Sequence, residues 1–180
     1  MLRLSLIIGF LAVSATATAE DFDYNFLSLG YGNVEFDDVG VDGGGFILGG
    51  SYAINDKFHV FADYNSASLD FDVDATRWGA GFGYNTSLSD AVDAYARVSY
   101  EYIEIDVPVL GSVDDSGLGL AAGLRFAASE ELELHAGINY VDFGDGGDDT
   151  GFEAGGLYNF TDAFALGLSG EWSDDISTYT

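Results

Sequence analysis

The sequence predicts an all-β chain, an antiparallel up-and-down transmembrane β-barrel with lipid against its outer wall. Three observations lead there. Nine stretches alternate apolar residues with small or polar ones, the period of a strand whose side chains point to opposite faces. Trp78, Ala80, Phe82 and Tyr84, for example, interleave with Arg77, Gly79, Gly81 and Gly83. The apolar face ends in aromatics at both rims, while the other face carries glycine, hydroxyl or charge. A glycine face cannot fill a core, so the greasy face must look outward into lipid and the polar face into the lumen.

The strands are placed at 24–36, 44–54, 58–70, 75–86, 91–104, 115–127, 132–142, 151–160 and 164–173. Their connections alternate in kind. Those at 55–57, 87–90, 128–131 and 161–163 are short, whereas those at 37–43, 69–74, 105–114 and 142–150 are longer and rich in Asp and Gly. Short turns on one side and long loops on the other suit periplasmic and extracellular ends. Strand nine then ends on the outside, with 173–175 as a further loop. Ile176, Ser177, Thr178, Tyr179 and Thr180 alternate like the opening of a tenth, descending strand. Ten strands are expected, with the last incomplete in this sequence and its remainder lost beyond Thr180. The lower part of strand one, with Leu27 and Leu29, would then be an open edge. The alternative is eight strands closing at 158–160, with 161–180 as a tail.

Residues 1–19 read as a secretory leader. Arg3 precedes an apolar run at 4–13, and Ala17-Thr18-Ala19 forms a small-residue cleavage site. The run is shorter than the roughly 20 residues a spanning helix needs. One domain, 20–180, remains, and export to the bacterial outer membrane is expected. The full chain carries 31 acidic residues and a formal charge of −26, and its only bases after the leader are Lys57, Arg77, Arg97 and Arg125. Phosphate recognition requires basic patches, so nucleic acid is not an expected partner. Cysteine is absent, which rules out disulfides and thiolate chemistry.

Strand parity sorts the remaining residues. Tyr52, Phe58, Tyr84, Phe126 and Tyr158, joined by Phe160 and Phe164, are expected to ring the periplasmic edge. Trp78, Tyr100 and Trp172, joined by Tyr31, Tyr64, Tyr140 and Phe152, are expected at the outer edge. Arg77, Arg97 and Arg125 face inward with Asp63, Asp93, Glu101, Glu133, Glu153 and Glu171. Hairpin register should bring Arg125 to Glu133 and Arg77 to Glu101 or Ser99. Arg97, level with Gly79 or Gly81, should reach Asp63. A small lumen is just wide enough for side chains to fill it, and charges there must be paired. The expected network is therefore a plug, with a gated ion path as the alternative.

His59 and His135 face inward near the periplasmic end, where no serine on an adjacent strand pairs with His135. No catalytic residue is assigned, and no cofactor. Asp70-Phe71-Asp72-Val73-Asp74 opens like a calcium loop, but Ala75 stands where the sharp turn needs glycine and Gly81 where the loop needs glutamate. The acidic stretch 142–149 is equally off-pattern. Weak divalent-cation binding at the loop tips is expected at most, alongside contact with outer-membrane lipid and lipopolysaccharide, and the chain is expected to be a monomer.

Three stretches carry a family resemblance: 55–64 (Asn-Asp-Lys-Phe-His-Val-Phe-Ala-Asp-Tyr), 81–85 (Gly-Phe-Gly-Tyr-Asn) followed by Leu88-Ser89-Asp90, and 170–175 (Gly-Glu-Trp-Ser-Asp-Asp). The chain resembles the small outer-membrane β-barrel proteins of proteobacteria and is similar to a signal-bearing barrel family of xanthomonads. That resemblance implies the fold and the compartment, and it implies no catalytic residue. The expected function is a non-enzymatic, structural or surface-interactive barrel presenting acidic loops. A narrow porin-like ion channel is the alternative, and an outer-membrane hydrolase the weaker one. N-terminal sequencing of protein from outer membranes should begin at Glu20; an intact Met1 would overturn the leader assignment.

Overall fold

A computed structural model describes residues 10–14, 22–36, 41–108, 110–173 and 176–180. The cleavage site at 17–19, the loop residues 37–40 and Asp174 and Asp175 lie outside the described residues. The strands are β1 (Phe10–Ser14), β2 (Phe26–Phe36), β3 (Val41–Ala53), β4 (Phe58–Leu69), β5 (Val73–Ser89), β6 (Val92–Val107), β7 (Gly111–Ala127), β8 (Leu132–Asp142), β9 (Asp148–Thr161), β10 (Phe164–Ser173) and β11 (Ile176–Tyr179). From β2 to β10, each strand pairs antiparallel with the next in sequence.

The ring closes between β10 and β2. In its upper half β11 pairs with both, Trp172 opposite Ser177 and Ile176 opposite Phe36. In its lower half β1 does so, Leu11 standing opposite both Leu166 and Leu29. Nine full strands and a tenth track shared by two short ones thus form one barrel. The eight-strand alternative fails because β10 lies within the ring, paired with β9 from Phe164 to Ser173.

Two expected boundaries need correction. The stretch 105–114 is no loop: β6 and β7 run on to Val107 and Gly111 around a tight turn, in which the Leu110 N–H donates to the Val107 carbonyl at 3.1 Å. Ile103, Ile105 and Val107 keep the alternation with Glu104 and Asp106, so the strand continues to Val107. Gly111, at φ +90°, takes the left-handed turn position that a side chain disfavours. The 69–74 connection shrinks to a short 3-10 turn, Asp70–Asp72.

Burial is inverted relative to a soluble domain. The buried polar residues include Ser28, His59, Asn85, Asp93, Ser99 and Glu101, with His59 and Asp93 the largest fully buried side chains. Leu27, Leu29, Phe82, Val98, Leu120 and Ile138 are exposed. The expected girdle residues are exposed as well: Tyr52, Phe58, Tyr84, Phe126 and Tyr158 below, Trp78, Tyr100 and Trp172 above. Register sets them level. Tyr64, Trp78 and Tyr102 are successive cross-strand partners, and Trp78 packs on Tyr100 and stacks on Tyr102 at 5.6 and 5.7 Å between ring centroids. Trp172 stacks on its partner Phe152 at 6.0 Å, and Phe58 packs on its partner Tyr84 at 5.3 Å.

The two kinds of exposed apolar residue should respond differently to charge. Phe82→Lys, in the middle of the apolar band, should cost about 2–4 kcal/mol. Leu110→Lys, at the β6–β7 tip, should change stability by less than about 0.5 kcal/mol. Urea unfolding from lipid vesicles measures both.

Candidate functional site: the lumen

The lumen is built from the inward faces of the strands, and its polar side chains fall into three levels. At the end beside the segment that precedes β2, Arg125 on β7 holds Glu133 on β8 in a two-pronged ion pair, Nε to Oε1 at 2.6 Å and Nη2 to Oε2 at 2.9 Å. The planar guanidinium matches the carboxylate with two parallel hydrogen bonds, the strongest form such a pair takes. Its Nη1 donates to the Asp23 carbonyl at 2.9 Å, and its Cζ lies over the rings of Tyr24 at 4.6 Å and Phe22 at 5.2 Å. Tyr24 in turn stacks on His59 at 4.5 Å and donates its hydroxyl to Asp93 at 2.7 Å. The segment before β2 therefore folds into the barrel mouth and caps it. Burial beside Asp93 raises the Tyr24 hydroxyl above its ordinary pKa, so it stays a donor across the physiological range.

In the middle level, Arg97 on β6 lies over the rings of Phe61 at 5.1 Å and Tyr95 at 4.9 Å. Tyr95 donates its hydroxyl to Glu153 on β9, across the lumen. Above it, Arg77 donates through Nε to Glu101 Oε2 at 3.2 Å, and Ser99 donates to Glu101 Oε1 at 2.5 Å. Asn139 donates to Glu171 Oε1 at 2.6 Å.

Glycine on the neighbouring strand leaves the volume these groups occupy. A β-carbon at Gly79 would lie 2.9 Å from both Glu101 carboxylate oxygens and 3.1 Å from Asp63 Oδ1. The glycine thus lets two carboxylates converge beside Arg77. At Gly83 a β-carbon would collide with the His59 ring, and at Gly123 and Gly137 with the Tyr95 hydroxyl.

The expected reach of Arg97 to Asp63 is not what the structure shows. Arg97 stands opposite Gly83, while Asp63 stands opposite Gly79, four residues higher on β5. Arg97 therefore sits a level below Asp63, among aromatic faces that satisfy a cation without a carboxylate. Sequence reasoning passed over Tyr24, Phe61, Tyr95, Asn85 and Asn139. Phe61 and Tyr95 share the parity of Asp63 and Arg97, and an aromatic on the lumen face was the signal available.

His59 Nδ1 lies 3.2 Å from Asn85 Oδ1, and Asn85 Nδ2 donates to the Asp56 carbonyl at 3.1 Å. His59 Nε2 and the Ser51 hydroxyl are buried without a hydrogen-bond partner, so they do not form the bonded base–nucleophile pair that acyl transfer uses. His135 stands opposite Arg125 and Gly155, so neither adjacent strand presents a serine directly across from it. Among the described residues, no cluster of three or more His, Cys, Asp or Glu is arranged to hold a metal ion.

The family model described as "Outer membrane protein beta-barrel domain" matches residues 4–160. The chain belongs to that family. An outer-membrane location follows from membership, with the strands and not a helix crossing the bilayer. No curated protein matches this outer-membrane barrel. Among solved structures it is similar to Neisserial surface protein A, with 18% identity, TM-score 0.43, and 96% of each chain covered. It is similar also to the N-terminal β-barrel domain of OprF from Pseudomonas aeruginosa, with 13% identity, TM-score 0.47, and 90% of this chain and 96% of that one covered. A third likeness is to the KdgM porin, with 9% identity, TM-score 0.48, and 97% and 95% covered.

Arg125 and Glu133 should behave as a buried pair, since neither side chain is more than 14% exposed. Arg125→Ala, which strands Glu133, should cost about 3–5 kcal/mol, whereas replacing both by Met should recover most of that loss. Unfolding of the two variants in vesicles tests the difference.

Proposed function

We propose that this protein is a non-enzymatic outer-membrane barrel with a plugged lumen, exported through a cleaved leader, whose working surface is its acidic extracellular end. One observation carries the reading: lumen-facing side chains hold one another at three levels of the barrel. Arg125–Glu133 stands with Tyr24 at the bottom, Arg97 between Phe61 and Tyr95 in the middle, and Arg77–Glu101 above. A conducting path would need mobile, hydrated groups, whereas Arg125 is held by a two-pronged ion pair and Arg97 by ring faces.

The outer ends of the hairpins carry Asp42, Asp70, Asp72, Asp74, Asp106, Asp114, Asp145 and Asp148, with no lysine or arginine among them. Such a surface attracts cationic partners and divalent ions bridging to lipopolysaccharide, and it repels nucleic acid. The aromatic belts supply the lipid contact of a monomeric barrel.

Planar-bilayer recording on the refolded protein tests this directly. The wild-type barrel should pass no steady current. Steady conductance that Arg77→Ala and Arg97→Ala alter would replace the plug by a narrow charged channel.

A further inference from the structure

Residues 22–25 precede β2 and take no part in the sheet. They form a strap across one end of the lumen, and its shape is set locally. The Asn25 N–H and side-chain amide both donate to Asp23 Oδ1, at 2.7 and 3.1 Å, so the turn holds itself without help from the wall. Three hydrogen bonds and several ring contacts join the strap to the barrel. Tyr24 donates to Asp93, the Asp23 carbonyl accepts from Arg125, and Asn25 Oδ1 accepts from the Ala53 N–H at 2.9 Å. None of these is a ladder bond between strands.

The groups beneath the strap have a second means of support. Without it, Arg125 keeps both bonds to Glu133 and His59 keeps Asn85. The strap also seals in polar atoms that it does not satisfy. Asp23 Oδ2, Ser51 Oγ, His59 Nε2 and Asp93 Oδ1 are buried without a hydrogen-bond partner. Asp23 belongs to the strap itself, His59 carries the Tyr24 ring, and Asp93 takes the Tyr24 hydroxyl. Ser51 lies two residues along β3 from Ala53, on the same face. Seating the strap gains ring contacts and hydrogen bonds but withholds water from these four atoms. Lifting it reverses both terms and leaves the wall intact, whereas parting two wall strands would break a whole ladder in lipid.

We infer that residues 22–25 are a lid, which leaves its seat and admits water to this end of the lumen while β2 to β10 stay paired. Tyr24 is its latch, through the ring on His59 and the hydroxyl on Asp93. Such motion is a local opening, well below the cost of unfolding the barrel. The inference rests on the plugged-lumen reading and adds a moving part to it. Arg97 between its two rings and Arg77 with Glu101 stay in place above the lid. Opening therefore wets the lower lumen without making a path through the barrel.

The chain has no cysteine, so a single thiol can report on the seat. Ser51→Cys exchanges one atom at a buried lumen position. The variant is refolded into phosphatidylcholine vesicles, and its reaction with a water-soluble methanethiosulfonate is timed beside hydrogen–deuterium exchange of β5 and β6. The thiol should react while those amides stay protected, and adding Tyr24→Ala should speed the reaction at least about tenfold. Tyr24→Phe keeps the ring and loses only the bond to Asp93. It should speed the reaction at least about threefold with β5 and β6 unchanged, whatever Tyr24→Ala does to overall folding. A thiol that reacts only as β5 and β6 exchange would make the strap a fixed part of the fold and overturn the inference. So would a rate indifferent to Tyr24→Phe. Steady bilayer current with labelling still governed by Tyr24 would remove the plug and uphold the lid.

Discussion

In a bilayer, every backbone donor and acceptor must find its partner within the protein, and this constraint governs the rest of the structure. It forces the sheet to close and so fixes a small interior. The small interior then determines what the inward residues must be. A wide barrel could leave its lumen to water, but a ring of ten tracks encloses about the volume that side chains fill. Each large lumen group therefore needs a glycine or alanine beside it, and each charge needs a counter-charge or a ring face. The pairing of His59 with Gly83, and of Glu101 with Gly79 and Gly119, follows from this geometry.

Satisfaction of the lumen charges is uneven, and the unevenness is informative. Arg125 is gripped by two carboxylate oxygens, one carbonyl and two aromatic rings. Arg97 has two rings and a buried Nε with no hydrogen-bond partner. A guanidinium tolerates this because its charge is delocalised and weakly hydrated, as an ammonium's is not. That difference is a physical reason for three arginines and no lysine in the lumen.

Much of this architecture was legible in the sequence. Period-two alternation placed nine strands, and parity alone assigned the girdle residues and the inward acids and bases. What stayed hidden depended on register and on segments without periodicity. The Arg97 environment turned on an offset of two residues from Gly81, or four from Gly79, between β5 and β6, a hairpin whose ladder shifts between Ser87 and Ser89. Pattern reading has no access to such an offset, because moving a pairing by two residues preserves every inward and outward assignment. The β6–β7 extension was misread as a loop because Asp and Glu outweighed the continuing alternation of Ile103, Ile105 and Val107. β1 was hidden for the opposite reason, since its residues already had a sufficient explanation as a leader.

The cap formed by Tyr24 has a consequence for the order of folding. Its partners come from β4, β6 and β7, at separations of 69 residues to Asp93 and, through the neighbouring Asp23, 102 residues to Arg125. Contacts this distant in sequence form only after the intervening chain has been gathered, and they carry a large loop-closure cost. The residues just ahead of β2 are thus late to settle, waiting for hairpins made after them. Insertion of the Tyr24 ring beside His59 follows the gathering of β4, β6 and β7, and a fluorophore reporting on that ring would time a late step of folding and not the first.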